Sequence, residues 1–70
     1  MNILVFKTNI TEMKLVRKVA PLLRTMEGIT KWNFDLHDCD NILRIETYSL
    51  LPQQIEARLQ SAGYFCQELL

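Results

Sequence analysis

The sequence predicts an α+β domain with elements in the order β-α-β-β-α-β, and three observations carry that prediction. Apolar residues run without a break at 3–6 and alternate with polar ones from Trp32 to Leu36 and from Ile42 to Thr47, which is strand patterning. They recur at three- and four-residue intervals from Leu15 to Met26 and from Leu51 to Ala62, which is helical patterning. Glycine or a cluster of turn formers stands where one period gives way to the next.

The first element, Ile3-Leu4-Val5-Phe6, is apolar on both sides, as expected of a strand in the middle of a sheet. Thr8-Asn9-Ile10-Thr11 breaks the run, and Thr11 is the predicted N-cap of the first helix. From Glu12 onward Leu15, Val16, Val19, Leu22, Leu23 and Met26 make one broad apolar stripe, with Lys14, Arg17, Lys18 and Arg24 on the opposite side. Glu12 and Arg24 stand at the ends where a helix dipole favours an anion and a cation. Pro21 predicts a kink near Arg17–Pro21, at a cost of about 3 kcal/mol if unrelieved. Gly28 is expected to end this helix as its C′ residue.

After Ile29, the alternation from Trp32 to Leu36 reads as a half-buried strand, His37-Asp38-Cys39-Asp40-Asn41 as a polar turn, and Ile42 to Thr47 as the return strand of a hairpin. Leu43 and Ile45 share one face of that strand; Arg44 and Glu46 share the other. Pro52 suits the first turn of a second helix with a stripe of Leu51, Ile55, Leu59 and Ala62. Gly63 ends it, and Tyr64–Leu69 is the last strand. This order is the split βαβ, or ferredoxin-like, two-layer sandwich: two helices over one face of a four-stranded antiparallel sheet. Residues 1–70 form one domain with no linker, repeat or low-complexity segment.

Composition narrows the function classes. Eight Lys+Arg balance eight Asp+Glu, and 49% of residues are hydrophobic, so bulk charge does not drive nucleic-acid binding and the chain is not disordered. The opening residues lack a basic region and Lys7 ends the apolar run, so neither a signal peptide nor a membrane span is expected. Two cysteines do not make a disulfide scaffold. A cytoplasmic setting, without a membrane, nucleic-acid partner or cofactor, is the expectation.

Three phrases carry a resemblance. The apolar pattern Val16, Val19, Leu22, Leu23, Met26 leads to Gly28-Ile29; Trp32-Asn33-Phe34-Asp35-Leu36 follows; and Ile55, Leu59, Ala62, Gly63, Tyr64 closes the chain at matching spacing. Together they resemble the heavy-metal-associated domain family of copper chaperones and metal-ATPase N-terminal domains, over nearly the whole chain. The resemblance implies the ferredoxin-like fold and a ligand loop between the first strand and first helix. In that family the loop reads Met-Thr-Cys-x-x-Cys, whose two thiolates hold a soft Cu(I) ion. The corresponding residues here are Ile10-Thr11-Glu12-Met13-Lys14-Leu15. Thr11 is kept, but Glu12 and Leu15 stand at the two cysteine positions, so the inherited sulfur pair is absent. Tyr64 completes the degenerate loop cluster.

Other sites are weighed against ordinary structural roles. Glu12, Met13, His37, Cys39 and Tyr64 are expected at one end of the sheet. His37 and Cys39, with Asp38 or Asp40, would offer nitrogen, sulfur and oxygen to a metal, although an Asp-rich turn needs such residues for its own geometry. No nucleophile–base constellation is visible around Ser49 or Ser61. Glu12 with Asp38 or Asp40 is the sole carboxylate pairing on offer, and each has a structural role available. The chain is therefore not expected to be an enzyme.

Two surfaces remain. Lys14, Arg17, Lys18 and Arg24 lie within roughly 120° of the first helix, a cationic strip suited to an acidic protein partner. The uncovered sheet face is expected to show either Ile3 and Val5 or Leu4 and Phe6, since the first strand is apolar on both sides. The former pair is preferred and Ile42 would join it, a patch for weak homodimerisation. The leading expectation is a binding or adaptor module acting through protein contact. A metal carrier using His37 and Cys39 is the alternative, and a small-molecule-binding regulatory domain of the ACT type is a second, without a Gly-rich first loop to support it.

Overall fold

A computed structural model describes residues 2–69. Its elements follow the expected order: β1 Asn2–Thr8, α1 Met13–Arg24, β2 Ile29–Asp35, β3 Ile42–Thr47, α2 Pro52–Ser61 and β4 Cys66–Glu68. The strands pair antiparallel in the order β2-β3-β1-β4. The doubly apolar β1 is thus an interior strand, and β2 and β4 are the edges.

The register separates two faces. Phe6 lies opposite Leu43, Leu4 opposite Ile45 and Thr8 opposite Cys66, and Trp32 and Phe34 join the same layer across β3. This is the helix-covered face. Phe6, Leu43, Ile45 and Cys66 are fully buried there against Val19 and Leu23 of α1 and Ile55 and Leu59 of α2. Each large apolar side chain so buried stabilises the fold by about 1.5–3 kcal/mol. Ile3, Val5, Lys7, Ile42, Arg44, Glu46, Lys31, Asn33 and Asp35 alternate with these and take the open face.

Several boundaries differ from the sequence-based expectation. Helix α1 is capped by Glu12, not Thr11: Glu12 is extended (φ −150°, ψ 161°) and its carbonyl accepts the Leu15 and Val16 N–H groups. No side chain caps the helix. The helix runs through Pro21 and ends at Arg24, so Gly28 is not its C′ residue. Gly28 instead makes the turn into β2 with φ +97°. In α2, Leu51 is the exposed N-cap residue and Ala62 the exposed C-cap, which leaves Ile55 and Leu59 as the buried pair. Tyr64 and Phe65 precede β4 rather than belonging to it.

The open face carries a smaller apolar patch than expected. Ile3 is 62% exposed and Val5 half-buried, but Ile42 is only 4% exposed. Ile42 sits between Lys7 and Asp35 on the neighbouring strands, whose longer or branched side chains flank it.

Candidate functional site

The end of β1, the β2–β3 turn and the α2–β4 loop meet at one end of the sheet, as expected, and Thr8 and Asn9 join them. The Thr8 N–H donates to the Asp40 carbonyl at 3.1 Å. Its hydroxyl donates to the Asn41 carbonyl at 2.6 Å and accepts the Ile10 N–H at 3.1 Å. Asn9 Oδ1 accepts the Phe65 N–H at 3.0 Å, tying in the third loop. Sequence reading missed Thr8, yet the signal was present: it is two residues past Phe6 on a strand, so it must share the inward face.

The loop between β1 and α1 is divided by burial. Ile10 is fully buried and belongs to the core, not to a binding surface. Thr11 and Glu12 are exposed, and Met13 is 54% exposed. Leu15 and Tyr64 are half-buried and pack against the core. Glu12 and Leu15 are the N-cap and third helical residues of α1, where a cysteine pair would share one helix turn. A carboxylate and an isobutyl group stand there instead. Met13 and His37 do come together, on the rim of an open groove of about 500 Å³ that also includes Asn33, Asp35 and Arg44.

The β2–β3 turn is held by its own acidic residues. Asp35 Oδ1 accepts the His37 N–H at 3.1 Å, and Asp38 Oδ1 accepts the Asp40 N–H at 2.8 Å. Asn41 closes the turn at φ 50°, a left-handed conformation that Asn tolerates. Asp40 pairs with Lys7 at 3.6 Å. One donor atom each from Asp38, Cys39 and Asp40 falls within 4.8 Å of the others, without His37. This trio offers a sulfur and two oxygens. That donor set suits a borderline ion such as Zn²⁺, with water in the fourth position, better than Cu(I).

Cys66 is a different kind of thiol. It is fully buried, and burial, with a smaller contribution from the charge of Glu56, pushes its pKa up to about 12. It is a small core hydrophobe rather than a ligand or nucleophile. Ser61 donates its hydroxyl to the Ala57 carbonyl at 2.8 Å, and Ser49 lies beyond the far end of β3 from His37.

Lys14, Arg17, Lys18 and Arg24 are all exposed, on the side of α1 opposite Val16, Val19, Ala20 and Leu23. Among the described residues the one ion pair is Lys7–Asp40, so none of them neutralises the strip. From Lys14 to Arg24 it extends about 15 Å along the helix.

No protein-family model matches this chain, and no curated protein does. Among solved structures, the chain is similar to the solution structure of the N-terminal domain of ZntA in the Zn(II)-form. The two are 21% identical, the match covers 94% of this chain and 89% of that one, and the TM-score is 0.78. The likeness shows the fold alone: the chain is a βαββαβ, ferredoxin-like sandwich. Among the described residues no helix is long and apolar enough to cross a membrane.

Proposed function

We propose that the chain is a non-catalytic binding module that docks an acidic protein surface through the cationic strip of α1. The observation that carries this reading is that Lys14, Arg17, Lys18 and Arg24 are exposed and have no carboxylate partner among the described residues, on a fold whose first loop bears Glu12 and Leu15 where the resemblance implies two thiols. Unpaired cations on one rigid helix orient an encounter and raise its rate more than they deepen its affinity. Binding should therefore weaken with salt. A pull-down from a native lysate with the wild-type chain and with K14E/R17E/K18E tests this. Loss of the bound partners in the charge-reversed chain is expected, and an unchanged partner list overturns the reading.

A second reading is a divalent-metal site. It is favoured by the convergence of Asp38, Cys39 and Asp40 donors and by the structural neighbour's Zn(II)-form. Titration of reduced protein with Zn(II) and Cu(I), beside H37A/C39A and D38N/D40N, decides it. Stoichiometric Zn(II) binding lost in both variants supports the site. Absence of binding, or binding unaffected by the substitutions, removes it.

A further inference from the structure

The two edges of the sheet are treated differently. The outer backbone groups of β4 are occupied from α2: the Glu68 N–H donates to Glu56 Oε2 at 2.7 Å, and Gln60 Nε2 donates to the Cys66 carbonyl at 3.0 Å. Edge β2 differs between Lys31 and Asp35. Among the described residues, no hydrogen bond from outside the sheet reaches the backbone from Lys31 to Asp35. An uncovered stretch of edge from Lys31 to Asp35 is a template for another strand.

From the residue pattern of this edge we infer that a second copy of this chain pairs with it, β2 against β2, antiparallel about Asn33. A two-fold axis at Asn33 sets Lys31 opposite the partner copy's Asp35, and Asp35 opposite its Lys31, on the open face. The same axis sets Trp32 opposite the copy's Phe34 on the helix-covered face, because residues two apart share a face. Trp32 and Phe34 are half-buried, with ring centroids 5.8 Å apart at 75°. The pairing continues this edge-to-face contact across the axis and covers what the single domain leaves partly exposed. A lysine on an edge strand ordinarily deters pairing. Here Asp35 answers it in one register only, since moving the axis to Trp32 would place Lys31 against Asn33 and Ile29 against Asp35. Asp35 is held in place by the His37 N–H on Oδ1, and Oδ2 has no partner among the described residues.

The interface is small, so the dimer is weak, with a dissociation constant of about 0.1–1 mM. Trp32 is the chain's one tryptophan, which gives a direct readout. Sedimentation equilibrium of the wild-type chain from about 10 μM to about 1 mM should show mass rising from 8.2 kDa toward twice that value. Trp32 emission should move to shorter wavelength over the same range. K31D and D35K each create two like-charge contacts across the axis and should weaken the dimer about tenfold or more. Mixing K31D with D35K chains makes both contacts attractive again and should restore association between the two variants, as should the double swap K31D/D35K with itself. Thermal melts confirm that each variant folds, and K31D, at an exposed position, remains decisive if D35K does not. A chain that stays monomeric throughout overturns the proposal. So does dimerisation that neither K31D nor D35K disturbs, which would assign it to another face. Neither result bears on the α1 docking strip.

Discussion

Thr8 and Asn41 are 33 residues apart in sequence, yet the Thr8 hydroxyl donates to the Asn41 carbonyl at 2.6 Å and closes one end of the sheet. A second buried threonine does the same at the other end. The Thr47 hydroxyl donates to the Gly28 carbonyl at 2.6 Å and accepts the Ser49 and Leu50 N–H groups at 3.2 and 3.1 Å. Each hydroxyl thus serves both as donor and acceptor in a place where water does not reach.

Thr8→Val keeps the shape and removes both hydrogen bonds, leaving the Ile10 N–H and the Asn41 carbonyl short of a partner. The expected loss is about 2 kcal/mol, which lowers Tm by about 8–16 °C in a domain of this size. Thr8→Ser keeps the hydroxyl and loses only a methyl group, for about 1 kcal/mol. Thermal melts of the two variants check the order, and Thr8→Ser melting lower than Thr8→Val would contradict it.

Gly28 and Gly63 both have left-handed backbones, with φ +97° and +93°, but different surroundings. A Cβ on Gly28 would lie 2.6 Å from Ser49 Oγ and 3.1 Å from Leu50 Cγ, whereas one on Gly63 meets nothing within 4 Å. Gly63→Ala should therefore cost only the conformational strain, about 1 kcal/mol. Gly28→Ala adds displacement of Ser49 and Leu50 and disturbs the carbonyl that Thr47 holds, for about 2–3 kcal/mol in all. Urea denaturation of both variants should rank them in that order with unchanged slopes.

Element type was legible because period alone separates Leu15–Met26 from Trp32–Leu36, and the central position of β1 followed from its apolar residues on both faces. What was not legible depended on neighbours distant in sequence. Leu51 and Ala62 fit the helical stripe of α2, but at its two ends there is no core left to meet, so both are exposed. Thr11 has better intrinsic capping chemistry than Glu12, yet the buried Ile10 and the Thr8 joint fix where the chain turns. At the candidate site, Met13 and His37, both expected at one end of the sheet, line the same groove. Sequence spacing could not show that donor atoms of Asp38, Cys39 and Asp40 converge while His37 lines the groove with Met13, because that depends on side-chain direction within the turn.

The two cysteines should behave as different reagents. Cys39 is exposed and Cys66 buried, with the Cys66 pKa pushed up to about 12 from 9.0. In the native chain a thiol-reactive disulfide reagent should titrate one thiol quickly, and the second only at the rate of unfolding. The raised pKa also sets a pH dependence. The unfolded chain loses the Cys66 proton from about pH 9 upward while the folded chain keeps it to about 12, so this contribution to stability is complete below about 9 and falls away between the two values. A Cys66→Ala chain lacks that slope. Its Tm should start lower than wild type, because a buried sulfur is gone, and decline less steeply above about pH 9.

Restoring the thiol pair tests whether the fold still presents a ligand loop. Glu12 and Leu15 are the N-cap and third helical residues of α1, so both belong to the first turn of the helix. Unpaired N–H groups and the helix dipole at this end favour thiolates over thiols. E12C/L15C should bind one Cu(I) tightly in competition with a chelator, and E12C alone should bind far more weakly, because a single sulfur cannot complete the two-coordinate site. Leu15 is half-buried against the core, so L15C should cost about 1–2 kcal/mol without metal. Bound Cu(I) should recover that loss, since it binds the folded chain alone. If E12C/L15C folds but gains no Cu(I) affinity over E12C, the loop between Ile10 and Leu15 has lost the ligand geometry along with the ligands, and the cysteine positions assigned to Glu12 and Leu15 are wrong.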